Sequence, residues 1–205
     1  MPQPHRYVDD GKYLAHFADA VQVRCVRCAH RGVVTAEWTS HRWTAAFACG
    51  ACGLELASGQ DDWVGPVVMT GTRPCGHCGH KWLQPSQTQE SWPRSVITSL
   101  EAECLQCKRT TTVPVNAVPV RSGTEAIDPH FGQPLFFVDE GRHGRLWAYN
   151  LNHLNELRRY VEASLRERSS DAGNKSMASR LPAWIKSAKN RAAVLKRIER
   201  LAAAA

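Results

Sequence analysis

All eight cysteines of this 205-residue chain fall into four Cys-x-x-Cys turns: Cys25/Cys28, Cys49/Cys52, Cys75/Cys78 and Cys104/Cys107. Each turn offers two sulfurs to one edge of a metal, and tetrahedral Zn²⁺ needs a second turn to complete its shell. Successive turns are separated by 20, 22 and 25 residues, room for a hairpin in each insert. Two four-cysteine zinc sites are therefore expected, turn one pairing with turn two and turn three with turn four. A closed four-sulfur shell leaves no open position for water or substrate, so both sites are read as structural. A cross-brace, with turns one and three on one metal and two and four on the other, uses the same ligands. The strand pattern within each insert favours sequential pairing. A disulfide framework suits a short secreted chain, whereas Met1 to Asp10 contains no apolar signal-peptide run. A thioredoxin-like centre uses one such pair beside a strand–helix–strand unit, not four in regular succession.

The residues between the turns read as small modules. In the first, residues 21–57, Val33 to Trp38 is rich in β-branched and aromatic side chains, Thr39 to His41 turns, and Arg42 to Ala48 leads back to Cys49. The second, residues 70–115, repeats the plan, with a strand from Ser95 to Ala102 and another from Thr110 to Val115. Gly50 and Gly53 in the first module, and Gly76 and Gly79 in the second, let backbone amides curl around sulfur. The positions after Cys28 and Cys107 lack a glycine. Modules this small bury little core, so metal ligation has to hold them folded.

Each unit of Cys-x-x-Cys, hairpin, Cys-x-x-Cys and strand resembles a zinc ribbon of the kind found in transcription factors, polymerase subunits and translation proteins. The resemblance covers about the first 115 residues as two ribbons in tandem. It implies rigid β modules that bind nucleic acid or protein, and no particular substrate.

Prolines and glycines from Pro114 to Pro134 mark a linker-rich passage. A third unit, residues 131–168, follows. Leu135 to Val138 and Arg145 to Tyr149 flank a turn with Gly141 and Gly144, and Asn150 caps a helix expected to run to about Arg168. Leu151, Leu154, Leu157, Val161 and Leu165 form its apolar face. The stretch from Leu146 through that helix, together with Leu181 to Arg191, resembles uncharacterised bacterial zinc-ribbon proteins. The expected fold is thus two small β modules, an α+β hairpin–helix unit, and a basic C-terminal helix over residues 180–203.

Charge directs attention to that tail. The chain has 26 basic and 19 acidic side chains, a formal +7. Each four-thiolate zinc site carries −2, which brings the metal-loaded chain near +3. Residues 1–112 go from +1 to −3 on loading, while residues 171–205 carry +6. On a single helix, Lys186, Lys189, Lys196, Arg197 and Arg200 share one arc, with Trp184, Val194, Leu195, Ile198 and Leu201 opposite. One face is positioned to dock and the other to meet phosphate; a docked helix with a solvated basic back has the same pattern. If Asn190 caps a new helix, the tail splits and the stripe weakens.

Local aromatic–cation groups add to this picture. Trp38, Arg42 and Trp43 bracket the first hairpin tip, and Lys81, Trp82, Trp92 and Arg94 lie in the second insert, the combination on which single-stranded nucleic acid stacks. Tryptophan also fills small cores. His77 and His80 stand beside a cysteine turn as substitute ligands, and His130, His143 and His153 match no ligand spacing. Asp139 with Glu140, and Glu101 with Glu103, are the acidic pairs a metal-dependent nuclease would use, but no catalytic motif accompanies them. The sequence therefore predicts a non-enzymatic protein with two structural Zn²⁺, cytoplasmic and without a membrane span. Its expected partner is nucleic acid, DNA or RNA, contacted by the tail cations with Arg42 and Trp43; alternatively it is an adaptor for an acidic protein partner in a larger complex. No small-molecule substrate is expected.

Overall fold

The computed structural model describes residues 5–60, 62–91, 97–121, 125–168 and 175–205. The first elements are β1 (Arg6–Asp9), β2 (Ala20–Arg24), β3 (Arg31–Thr39), β4 (Arg42–Ala48) and β5 (Glu55–Ala57). Then come β6 (Val67–Thr70), β7 (Ser86–Gln89), β8 (Ser99–Glu103), β9 (Thr110–Pro114) and β10 (Asn116–Pro119). The remainder comprises β11 (Phe137–Asp139), β12 (Leu146–Ala148), α1 (Leu151–Glu162), β13 (Leu165–Arg168), α2 (Met177–Arg180), α3 (Ala183–Lys186) and α4 (Arg191–Ala203). Small antiparallel sheets dominate. The chain divides into two compact units, residues 1–61 with 123–205, and residues 62–122.

In the larger unit, β2-β3-β4-β5 form an antiparallel sheet. The β3–β4 hairpin is closed by Ser40 and His41, both at positive φ (50° and 63°), as a two-residue turn matched to strand twist requires. Val34, Ala45, Phe47 and Leu56 are buried on its inner side. Gly32 lies against Phe47, where a Cβ would fall 2.6 Å from the ring, so only glycine fits. The far edge of β2 is not left open. Its Gln22 amide donates to the Tyr149 carbonyl (2.8 Å), its carbonyl accepts from Phe136, and Arg24 donates to Pro134. The sheet beside the first two cysteine turns is thereby continuous with the C-terminal part of the chain.

Asn150 joins the two by chemistry as well. Its Oδ1 accepts from the His153 amide (2.9 Å) and caps α1, while its Nδ2 donates to the carbonyls of Phe17 and Ala20 (2.9 Å each). Leu154, Leu157 and Val161 of α1 then pack with Phe137, Leu146, Ile185, Val194, Ile198 and Leu201 in one apolar core.

Two expectations are corrected here. The helix after Asn150 ends at Glu162, and Leu165–Arg168 forms a strand paired in parallel with β1. The pairing satisfies backbone groups that a longer helix would have satisfied internally. Leu151 and Leu165 accordingly stay exposed (37% and 42%). The tail is not one helix: α3 stops at Lys186, a short 3₁₀ turn spans Ala188–Asn190, and α4 begins at Arg191. Asn190 marks the break, yet its side chain donates back to the Trp184 carbonyl (2.9 Å) rather than capping α4.

The smaller unit has a three-stranded antiparallel sheet, β10-β6-β7, and a separate β8–β9 hairpin. The β8–β9 side of this unit has a core of little more than Cys75, Leu83, Cys104 and Val113, two of them metal-ligand candidates. The expected strand from Ser95 begins at Ser99 among the described residues. No helix among the described residues is long and apolar enough to cross a membrane.

Candidate metal centres

The four cysteine turns share one backbone design. In each, the first cysteine's carbonyl accepts from the amide four residues on: Ala29, Gly53, Gly79 and Lys108, at 2.8 to 3.1 Å. Its own amide donates to the carbonyl five residues on: His30, Leu54, His80 and Arg109, at 2.8 to 2.9 Å. The fourth-on residue must be left-handed to close this loop, with φ of 59°, 67°, 69° and 60° respectively. Glycine meets that demand at two turns; Ala29 and Lys108 meet it against the Cβ clash.

These loops gather the sulfurs into two quartets, Cys25, Cys28, Cys49 and Cys52, and Cys75, Cys78, Cys104 and Cys107. Pairing is sequential, turn one with two and three with four. Within each quartet all ligand atoms lie within 4.8 Å of one another. Cys25–Cys52 and Cys28–Cys49 are 3.6 Å apart, Cys75–Cys107 3.7 Å and Cys78–Cys104 3.8 Å. A tetrahedron with Zn–S of about 2.3 Å has an edge of about 3.8 Å, so the donors fit zinc, and they are too far apart for disulfides. Each quartet can hold one Zn²⁺, two in all, in closed shells of the structural type. The arrangement is compatible with tandem zinc ribbons.

Backbone amides favour the ionised form at one sulfur in each quartet, while at Cys28, Cys52 and Cys78 the backbone amide is outweighed by desolvation and hydrogen bonds among the sulfurs, which push these thiols up. Donation from Ala51 outweighs partial desolvation and holds the Cys49 thiol down at about 6. The amides of His77 and Cys78 bring Cys75 to about 5. Thr111 adds a hydroxyl 3.6 Å from Cys75 Sγ and accepts from the Gly76 amide with the same oxygen. Nothing in the Cys-x-x-Cys spacing announces Thr111, because it arrives from β9, 36 residues downstream.

The remaining candidates have other employment. His77 places its Nε2 3.0 Å from the Thr110 carbonyl, and His80 contributes its carbonyl to the turn. His130 bonds the Ala18 carbonyl, His143 stacks near Trp184, and His153 is buried. Among the described residues only the cysteines form metal-binding groups. Asp139 receives Arg197 and Arg200, Glu140 receives Arg145, Glu101 accepts from Thr112 (2.7 Å), and Glu103 lies 4.0 Å from Lys108.

The tail cations are dispersed by the fold. Arg197 is buried: it bonds the Asp139 carboxylate and carbonyl, donates to the Gly144 carbonyl (2.9 Å) and lies over Trp184. Arg200 pairs with the same Asp139 at 3.0 Å, and Lys186 Nζ donates to the Ser179 carbonyl. Lys189 and Lys196 are exposed. The single arc projected from sequence fails because α3 and α4 are separate helices and because Asp139, brought from β11, draws Arg197 inward. Arg42 is exposed at the hairpin tip, where Trp43 packs edge-on between Trp38 and His130 (5.5 and 5.3 Å). Trp82 and Lys81 are exposed; Trp92 and Arg94 lie outside the described residues.

Searches against protein-family models, curated proteins and solved structures returned no match for this chain.

Proposed function

We propose that this chain is a non-enzymatic, zinc-scaffolded adaptor that docks a protein partner on its smaller unit. The observation that carries the reading is the pair Trp82 and Leu105, 68% and 78% exposed. Both line one surface cavity of about 540 Å³ with Leu83, Leu100, Glu101 and Glu103. Trp82 is also held at φ 69°, a conformation costly for a bulky residue and characteristic of working surfaces. Zinc brings this unit from a formal +2 to 0, so phosphate has little electrostatic reason to approach it. Apolar side chains rimmed by two carboxylates suit a basic, aliphatic-rich segment of another protein. A transcription- or translation-related complex is the setting that the ribbon resemblance suggests.

A second reading rests on the other ribbon. Trp38, 55% exposed, with Arg42 and Trp43 offers an aromatic–cation platform at the tip of β3–β4, and single-stranded nucleic acid stacks on such groups. Lys189 and Lys196 supply the tail cations still free in solvent.

Co-purification separates the two. A stoichiometric protein free of nucleic acid, lost on Trp82→Ala with Leu105→Ala, supports the adaptor. Salt-sensitive mobility shift of an oligonucleotide, weakened by Trp38→Ala and unaffected by the Trp82 and Leu105 changes, overturns it in favour of the second reading. Deleting the tail is a poor test of either, because Val194, Ile198 and Leu201 belong to the core.

A further inference from the structure

A cavity of about 620 Å³ opens in the larger unit, within the range of about 300–1,000 Å³ occupied by cofactor-sized ligands. Its walls are apolar, supplied by Leu146, Leu157, Met177 and Ile185 with Trp147 and Trp184. Among the described residues, none that lines it carries a carboxylate, whereas Arg145, Lys175 and Arg180 each bring a cation. Arg145 shares its charge with Glu140; Lys175 and Arg180 make no ion pair among the described residues. His153 lines the same cavity while only 3% exposed. Its Nδ1 accepts from the Tyr149 amide (3.2 Å), which leaves the proton on Nε2. No described residue accepts from that N–H. Burial holds the imidazole at about 3, so it stays a neutral donor at physiological pH.

We propose that this cavity binds a small amphipathic anion, an apolar body in the pocket with its carboxylate, sulfonate or phosphate head met by Arg145, Lys175 and Arg180. The His153 Nε2–H orients the ligand by donating a hydrogen bond to its nearest oxygen. No motif in the sequence marks the site, since its lining is drawn from residues 13–15, 145–157 and 175–185. The site lies in the unit that does not carry Trp82 and Leu105, so it stands or falls independently of the adaptor reading.

The probe is 1-anilinonaphthalene-8-sulfonate, an aromatic body with a sulfonate, titrated into the full zinc-loaded chain. A saturable fluorescence rise at one probe per chain is expected, displaced by dodecanoate and not by dodecanol. Ala15→Trp, half-exposed and lining the cavity, fills it from the N-terminal turn and is expected to weaken binding at least about tenfold. Arg145→Ala combined with Arg180→Ala is expected to weaken it about tenfold. Since the probe also lights up loosely packed chains, each variant must retain cooperative thermal unfolding. Should Ala15→Trp fail that criterion, Leu181→Trp fills the same space from the opposite wall. The proposal is overturned by the absence of saturable binding, by unchanged affinity in a folded cavity-filled variant, or by equal displacement with dodecanol.

Discussion

Each zinc site of this chain carries one glycine and one residue with a Cβ at the same left-handed backbone position: Ala29 and Gly53 in one, Lys108 and Gly79 in the other. The four share φ within 10° and the same pair of backbone hydrogen bonds. A Cβ built on Gly53 or Gly79 meets nothing within 4 Å, so Gly53→Ala and Gly79→Ala test conformation with packing left out. A left-handed non-glycine residue costs roughly 1–2 kcal/mol. Against that, alanine gains about 0.4–1 kcal/mol by restricting the unfolded chain. The net cost of either change is about 0.5–1 kcal/mol, about a two- to fivefold loss of apparent zinc affinity because binding and folding are coupled here. Ala29→Gly and Lys108→Gly are expected to gain as much. The double change Ala29→Gly with Gly53→Ala, which only relocates the glycine within one site, is expected to leave affinity nearly unchanged. Chelator-competition titration of zinc, with thermal unfolding in parallel, measures all five variants. If the forward and reverse changes shift affinity in the same direction, left-handed strain is not what sets the residue at this position.

Further outcomes follow from the same geometry. Cys52→Ser is expected to halve bound zinc by elemental analysis and to unfold the larger unit, while protection from hydrogen exchange in residues 62–122 persists; mixed damage in both units would contradict sequential pairing. Arg197→Ala leaves the Asp139 carboxylate, 16% exposed, without its buried partner and should cost about 3 kcal/mol in denaturant unfolding. Lys189→Ala and Lys196→Ala should stay within about 0.5 kcal/mol, and a cost at those lysines equal to that at Arg197 would refute the assignment. For His153, burial lowers the folded-state value from 6.5 to about 3, so the unfolded chain binds more protons between these limits. Stability is fully present above pH 6.5 and drains away as pH falls, by about 2 kcal/mol at pH 5. Imidazole NMR should find His153 neutral at pH 5, and a midpoint near 6.5 would show that the ring is not desolvated.

The sequence by itself determined what is local. Ligand pairs three residues apart, the β3–β4 strands and the turn between them, and the Asn150 cap all depend on neighbours along the chain, and all can be read from residue type and spacing. Sequential pairing of the first two turns follows for the same reason, since their 20-residue insert is the β3–β4 hairpin that returns to its start; the 25-residue insert, expected as a second hairpin, instead pairs β7 with β6 and β8 with β9 among the described residues. Tertiary structure alone decided the rest. Leu165–Arg168 reads as helix until β1, about 160 residues earlier, offers a strand edge, because pairing with a distant backbone can outweigh local helical preference. Arg197 belongs to a basic stripe until Asp139 arrives from β11, because an ion pair depends on distance in space and leaves no periodic trace in sequence. The cavity around His153 and the exposed Trp82 have the same origin: burial is a property of the assembled neighbours, and no residue carries it alone.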